Sequence, residues 1–309
     1  MDNTSDSPRE SDYQAALAKG LLPIREVARQ TGVNPVTLRA WERRYGLIVP
    51  LRTGSGHRLY STEDVARIRL ILTWMERGIA VGQVKGLLNT PQAPTAADTS
   101  PASLWEEQRR YLMQAIANLA ERQLDERFNA AMALYPPLAV YRQLLQPLLD
   151  ELEQRWRGQF GGQVERVFLH SWLRTKLGAR IYHNNRQCGG APLLLVNGSD
   201  LPMEPGLWLT AWLVSSADCS VEVLDWPVPA VELSLAVARI QPRALLLYSS
   251  QPLRPDQLLR LLNGHPCPCL LGGPAAAIHQ TGVEPGTTLV ESPLDALQAL
   301  LDLGLLHDR

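Results

Sequence analysis

A chain of 309 residues is longer than one compact core normally supports, so we expect two or three domains. Hydrophobic residues make up 45% of the chain and charged residues 20%, as in ordinary water-soluble proteins. No apolar run approaches the roughly 18 residues of a membrane span, and the acidic, polar N-terminus does not have the pattern of a signal peptide. The four cysteines have neither disulfide-framework density nor metal-site spacing. The composition therefore argues against a membrane protein and favours the cytoplasm.

The net charge of −1 conceals an uneven distribution. Residues 23–90 contain 11 Lys and Arg against 5 Asp and Glu, which gives this segment a net charge of +6. The rest of the chain is acidic. A basic segment on an acidic remainder predicts a polyanionic partner for that segment alone.

Residues 21–90 are predicted to form a winged helix-turn-helix. Apolar residues at helical spacing predict a first helix from residue 21, and Gly32 supplies the turn after it. Asn34 and Pro35 are typical of the N-cap and first position of a second helix, which carries several arginines. A short basic hairpin follows and ends at Tyr60. A helix suited to the major groove is thus followed by a wing suited to the DNA backbone.

Two polar stretches lie on either side of the predicted winged helix-turn-helix. Residues 1–20 are predicted to be a disordered tail, and Pro, Ala, Ser and Thr dominate residues 91–103, which we interpret as a linker. Between residues 104 and 188, four segments place apolar residues at positions i, i+3 and i+4. Four helices with short connections predict an antiparallel helical bundle.

From residue 189 to residue 309 the hydrophobic pattern changes. Five short apolar runs alternate with five helical segments, which predicts an α/β fold with a doubly wound parallel sheet. Ligands of such sheets bind outside the carboxyl ends of the strands. Gly272 and Gly273 follow the fourth predicted strand, where they either let a backbone approach a ligand or form a tight turn.

The string TLR-x-W-E-RRYGL, followed by R-x-x-x-G-HR-x-Y, resembles the DNA-binding domain of MerR-type transcriptional regulators. The resemblance implies that these positions lie on or beside DNA. With the helical spacing of the arginines, it gives as predicted DNA-binding residues Thr37, Arg39, Trp41, Arg43, Arg44, Tyr45, Arg52, His57, Arg58 and Tyr60. For each arginine two contacts remain open, one to the guanine edge and one to a phosphate.

A helical bundle followed by a parallel sheet resembles the cobalamin-binding module of one MerR-type subgroup, which includes light-sensing regulators and biofilm regulators of enteric bacteria. In that module the loop after the first strand usually carries a His that ligates cobalt, and here Met203 stands at that position. Met is a poor ligand for Co(III). In the bundle, His170 matches the final His of the signature, but Leu169 replaces the Glu before it. The candidate ligand pocket comprises His170, Met203, Gly272 and Gly273.

We predict a DNA-binding transcriptional regulator and not an enzyme, since no catalytic constellation is present. The resemblance implies double-stranded promoter DNA and RNA polymerase as partners, with activation through distortion of promoter DNA. A homodimer or higher homo-oligomer is expected, assembled through the later domains because the linker interrupts the long dimerising helix of typical relatives. No metal and no cofactor is expected, and the effector is a small molecule or a protein. The alternative is an adenosylcobalamin-dependent light-responsive regulator or corrinoid-binding protein, against which Met203 argues.

Overall fold

The computed structural model describes residues 17–18, 20–54, 56–88, 101–280, 283 and 286–306. Most of the predicted tail and residues 91–100 of the predicted linker lie outside the described residues. The chain divides into two compact units, one formed by the residues up to Glu165 and one beginning at Arg166. None of the described helices combines the length and the hydropathy that a bilayer span requires.

The first unit begins with a strand and two helices joined by a tight turn. These are β1 (Leu22–Pro23), α1 (Ile24–Thr31) and α2 (Pro35–Ala40), which continues as a π-helical turn (Trp41–Tyr45). We call α2 and this turn the recognition helix. Gly32 ends α1 in the left-handed conformation, with a φ of 70°. The Asn34 side chain accepts a hydrogen bond from the backbone N–H of Thr37, which confirms the predicted N-cap.

A small antiparallel sheet forms the wing. Strands β2 (Leu51–Arg52) and β3 (Arg58–Tyr60) make a hairpin, and β1 pairs with the other edge of β3. The sequence pattern predicts helix from residue 21, which is wrong by three residues, because Leu22 and Pro23 pair with β3 and the helix begins only at Ile24. Helices α3 (Thr62–Glu76) and α4 (Val81–Leu88) follow.

The four predicted bundle helices are confirmed. They are α5 (Pro101–Ala117), α6 (Glu121–Leu134), a third helix made of α7 (Pro137–Val140), a π-helical turn (Tyr141–Leu145) and α8 (Gln146–Trp156), and lastly α9 (Gly162–Asn185). The first begins three residues before the predicted start of the bundle. The division between the two compact units falls inside α9 and not between residues 188 and 189.

Within the first unit, bundle side chains bind the end of α3. The indole Nε1 of Trp105 donates to the Gly78 carbonyl over 3.2 Å, and the Gln143 amide donates to the Glu76 carbonyl, also over 3.2 Å. Carbonyl groups at the end of a helix have no partner inside the helix, so these side chains satisfy them. The winged helix-turn-helix and helices α5 to α8 therefore pack as parts of one unit.

The second unit contains a five-stranded parallel sheet in the order β5-β4-β6-β7-β8. Its elements alternate as predicted: β4 (Leu193–Asn197), α10 (Pro205–Ser216), β5 (Val221–Leu224), α11 (Ala230–Ile240), β6 (Ala244–Tyr248), α12 (Pro255–Leu262), β7 (Cys269–Gly272), α13 (Pro274–Ile278), β8 (Thr288–Val290) and α14 (Pro293–Asp302). Strands β4 and β6 are buried along their whole length, as their continuous apolar runs require. The predicted doubly wound sheet is confirmed.

Candidate functional site

Three arginines of the recognition helix, Arg39, Arg43 and Arg44, are exposed. Within the part of the chain that the structure describes, none of the three forms a salt bridge. A guanidinium group that is not neutralised by a carboxylate can bind a phosphate, or the guanine edge, through two parallel hydrogen bonds. This helix therefore presents a cationic surface suited to a polyanion.

The wing adds further polar groups beside the recognition helix. Arg52 has a side chain that is 51% exposed, His57 is exposed and Tyr45 is half-buried. Arg52 also donates from Nη2 to Glu42 Oε1 over 2.6 Å, which places the wing next to the recognition helix. The helix and the wing thus form one continuous surface.

The Glu42 carboxylate ties the wing to the recognition helix. Besides the bond from Arg52, it accepts hydrogen bonds from Arg58 Nε at 2.5 Å and from Arg58 Nη2 at 3.3 Å. Burial alone would raise the pKa of Glu42, but the hydrogen bonds from Arg58 and Arg52 outweigh it, so the pKa lies below its ordinary value. Sequence reasoning missed this residue, although Glu42 is the only acidic residue between Thr37 and Tyr60.

Four of the predicted DNA-binding residues need correction. Thr37, Trp41 and Tyr60 are fully buried, with 0% exposure, so a DNA contact for their side chains is wrong in this conformation. Trp41 and Tyr60 belong to the hydrophobic core of the winged helix-turn-helix. Burial raises the pKa of Tyr60 to about 12. Arg58 is only 13% exposed and is engaged by Glu42, so its first role is to hold the wing.

Trp41 connects the recognition helix to the bundle. Its indole Nε1 donates to the carbonyl of Leu134, the last residue of α6, over 2.8 Å. The next residue, Tyr135, accepts a hydrogen bond from the backbone N–H of Val81 over 3.4 Å, and its ring packs against that of Trp105 in a tilted arrangement with 4.6 Å between ring centroids. The side of the recognition helix that bears Trp41 is therefore covered by protein.

The second candidate site lies at the carboxyl ends of β4 and β6, where the strand order reverses. Gly272 and Gly273 both approach Tyr248, the last residue of β6. A methyl group added to Gly272 would lie 3.2 Å from Tyr248 Cδ2, and one added to Gly273 would lie 2.8 Å from Tyr248 Cζ. Gly273 also has a φ of 87°, which favours glycine. The close approach that these glycines permit is made here to Tyr248 and to its neighbours Leu246 and Ser249.

The two other pocket candidates lie on different elements. His170 is on α9, and its pKa is lowered to about 4 chiefly by burial and secondly by the nearby Arg166. Met203 is 7% exposed and lies in the loop between β4 and α10. Among the described residues, no group of three or more His, Cys, Asp and Glu is arranged to hold a metal ion.

Comparisons with known proteins identify two families in the chain. Residues 22–90 match the family described as "MerR HTH family regulatory protein", and residues 108–181 match the family described as "B12 binding domain". The "HTH-type transcriptional regulator MlrA" of Salmonella typhimurium (strain LT2) is 30% identical over 210 residues, which is 66% of this chain and 79% of that protein.

Two further proteins are similar over most of their length. The "HTH-type transcriptional repressor CarH" of Myxococcus xanthus is 26% identical over 289 residues, covering 87% of this chain and 94% of CarH. Among solved structures, the monomethylamine corrinoid protein of Methanosarcina barkeri has a TM-score of 0.48 at 17% identity, over 64% of this chain and 99% of that chain.

We predict that Glu42→Gln lowers the free energy of unfolding by about 1–3 kcal/mol, because two guanidinium groups lose their charged acceptor. The pKa of Glu42 is lowered on folding, so its contribution is complete above the ordinary value of 4.5 and is lost as the pH falls through the folded value. Urea denaturation at neutral pH and at a series of pH values below 4.5 measures the effect. The control is Glu126→Gln, whose pair with Arg122 is exposed and should contribute under about 0.5 kcal/mol. Equal, small effects of both changes would contradict the prediction.

We predict that Trp41→Phe destabilises the first unit by about 1–3 kcal/mol, because the partly buried Leu134 carbonyl loses its donor. The salt dependence of DNA binding should stay unchanged, since the indole does not face solvent. Denaturation and DNA titration of the same preparation separate the two effects, with Trp74→Phe, a half-buried tryptophan, as the control. Unchanged stability together with weaker DNA binding would contradict this prediction and would indicate that Trp41 contacts DNA.

We predict that stability falls as the pH drops from about 6.5 to about 4, in part because of His170. Its pKa is about 4 in the folded protein against an ordinary value of 6.5, so the unfolded chain takes up the proton first as the pH falls. Protonation therefore stabilises the unfolded state relative to the folded state. Below the folded pKa the dependence levels off. His170→Gln should flatten this part of the profile, whereas His183→Gln, an exposed histidine on the same helix, should not. Identical profiles for the two variants would rule out the assignment.

Proposed function

The chain belongs to the MerR family of DNA-binding transcriptional regulators, with a B12-binding-type domain after the winged helix-turn-helix, and from this premise we propose how it acts. The recognition helix enters the major groove of double-stranded promoter DNA and the wing contacts the backbone. The protein works in the cytoplasm, where that DNA is, as a regulator without catalytic chemistry of its own.

The observation that carries this proposal is the set of exposed arginines on the recognition helix. Arg39, Arg43 and Arg44 have no carboxylate partner among the described residues, in contrast to Arg58, which Glu42 neutralises. The four arginines thus divide into three that are available to DNA and one that holds the wing. Tyr45, Arg52 and His57 complete the proposed DNA surface.

We propose a homodimer that grips a pseudo-palindromic site. Two copies of the winged helix-turn-helix would contact half-sites about 34 Å apart, or a multiple of that distance, because successive major grooves face the same side of the duplex once per turn. Bending or untwisting the DNA between the half-sites changes the geometry that RNA polymerase meets, which is the basis for activation. The bundle and the sheet supply the contacts between the copies.

Repression is the second candidate for the sign of regulation. CarH, which is similar over 87% of this chain, is named a transcriptional repressor. Transcription in vitro from a bound promoter, with and without the protein, decides between the two: more transcript supports activation, and less supports repression.

For the C-terminal half we propose an effector-responsive module whose effector is a small molecule or a protein. The match of residues 108–181 to a B12 binding domain supports the cobalamin alternative. Met203 speaks against ligation of cobalt by a histidine from the loop after β4. The His170 imidazole is partly buried and its pKa is lowered to about 4, which is equally consistent with a structural role for this side chain within α9.

We predict that Arg43→Ala weakens DNA binding without unfolding the protein. If Arg43 contacts a guanine, its loss would remove about 1–3 kcal/mol of discrimination at one base position. If it contacts a phosphate, its loss would weaken binding to all DNA sequences evenly and would reduce the slope of log affinity against log salt concentration by about 1. The measurement is a titration of the full chain against a duplex selected from a random pool, repeated at several fixed salt concentrations.

The matched control is Arg122→Ala, which removes a 92% exposed arginine from the bundle helix α6. It should change neither affinity nor salt slope. If Arg43→Ala and Arg122→Ala behave alike, the recognition helix is not the DNA surface. Circular dichroism of both variants verifies that the fold is retained.

A further inference from the structure

In a doubly wound sheet, ligands bind in the crevice at the carboxyl ends of the strands where the strand order reverses. In this chain that place lies between β4 and β6, since β4 connects to β5 on one side of the sheet and β6 begins the other side. The loop after β4 and the loop after β6 form the two walls of the crevice.

The ring of Tyr248 occupies the crevice. Tyr248 ends β6, is 6% exposed, and lies against Gly206 in the first turn of α10 and against Gly273. A methyl group added to Gly206 would lie 1.8 Å from the phenol oxygen and 2.3 Å from Cζ, distances that no real contact permits. The ring therefore fits only because both positions lack a side chain.

The two loops are also tied together across the crevice. Glu204, which is 1% exposed, accepts two hydrogen bonds at Oε1, one from the Ser250 backbone N–H and one from the Ser250 hydroxyl, each 2.9 Å long. Glu204 belongs to the loop after β4 and Ser250 to the loop after β6. A ligand that entered here would have to break this connection as well as displace the ring.

A third contact fixes the loop after β4 from within. The Asn197 amide donates to the carbonyls of Leu201 and Asp225, each over 2.9 Å, while its oxygen accepts from the backbone and hydroxyl of Ser199. A buried amide that makes four hydrogen bonds to its own protein has no capacity left for a ligand. The polar groups of this wall serve the protein and not an incoming molecule.

We propose that Tyr248 is a built-in plug that closes the ligand crevice of the sheet module, so that the module holds its fold without a corrinoid. The plug is an aromatic ring in the space that two glycines leave, and the Glu204–Ser250 bonds hold the walls around it. The residues present therefore do not fit a bound cobalamin in this conformation. The inference concerns the second unit alone, so a failure of the DNA-binding proposal in titrations would leave it standing.

The first test is a double-mutant cycle on the stability of the full chain. Gly206→Ala should lower the melting temperature by roughly 5 °C or more, because its methyl group meets the phenol. In the Tyr248→Ala background the same change should be neutral or raise the melting temperature, since Ala is the better helix former once the ring is gone. Additive effects of the two substitutions would overturn the placement of the ring.

The second test is corrinoid retention. The wild-type chain, Tyr248→Phe and Tyr248→Ala are incubated in the dark with adenosylcobalamin or hydroxocobalamin and desalted, and visible absorbance gives the corrinoid retained per chain. Wild type and Tyr248→Phe, which keeps the ring, should retain little, and Tyr248→Ala should retain at least about tenfold more, equivalent to roughly 1.4 kcal/mol.

Two outcomes would overturn the proposal. Wild-type protein that keeps about one corrinoid per chain after desalting has an open crevice. If a folded Tyr248→Ala variant retains no more corrinoid than wild type, Tyr248 is not the residue that closes the site. The melting curves of the first test establish that this variant is folded.

Discussion

The Glu42 carboxylate is the constraint on which the position of the wing beside the recognition helix depends. It sits on the recognition helix and accepts hydrogen bonds from Arg52 and Arg58, which lie opposite each other in the wing hairpin. Like charges opposite each other in a hairpin repel, so the pair needs a common counter-ion. A surface that binds phosphate must be cationic and is for that reason difficult to hold together. One acidic side chain solves this problem for the wing and leaves the exposed arginines of the helix unneutralised.

The residue before Glu42 projects in a different direction and serves a different purpose. Trp41 is buried in the core and donates to the carbonyl at the end of α6, so one turn of helix carries both the wing connection and the bundle connection. Consecutive residues of a helical turn project in different directions around its axis, which allows neighbours to reach different partners. A shift of α6 would therefore act directly on the recognition helix, because the Leu134 carbonyl would lose its donor.

Several features could be predicted from local pattern, and others could not. Strands β4 and β6 are almost entirely apolar and are buried along their whole length, and short apolar runs of this kind are typical of strands in a parallel sheet. Whether a given side chain points into the core or towards solvent cannot be predicted from such a local pattern. Trp41 and Tyr60 fall in a string that resembles DNA-contacting positions, yet both are buried, and the partner of Trp41 lies 93 residues further along at Leu134. Tyr248 presents the same difficulty, since the glycines beside its ring, Gly206, Gly272 and Gly273, come from other parts of the chain.

The closed crevice sets an energetic condition on any effector of the sheet module. A ligand shifts an equilibrium only by the difference between its affinities for the two states. To turn a population that is 99% closed into one that is 99% open, it must prefer the open state by about 10⁴-fold, roughly 5.5 kcal/mol. That preference has to replace the packing of Tyr248 against two glycines and the two hydrogen bonds of Glu204. A protein that binds the outside of the unit meets no such demand, so the module is better suited to being recognised at its surface than to capturing a ligand within the sheet.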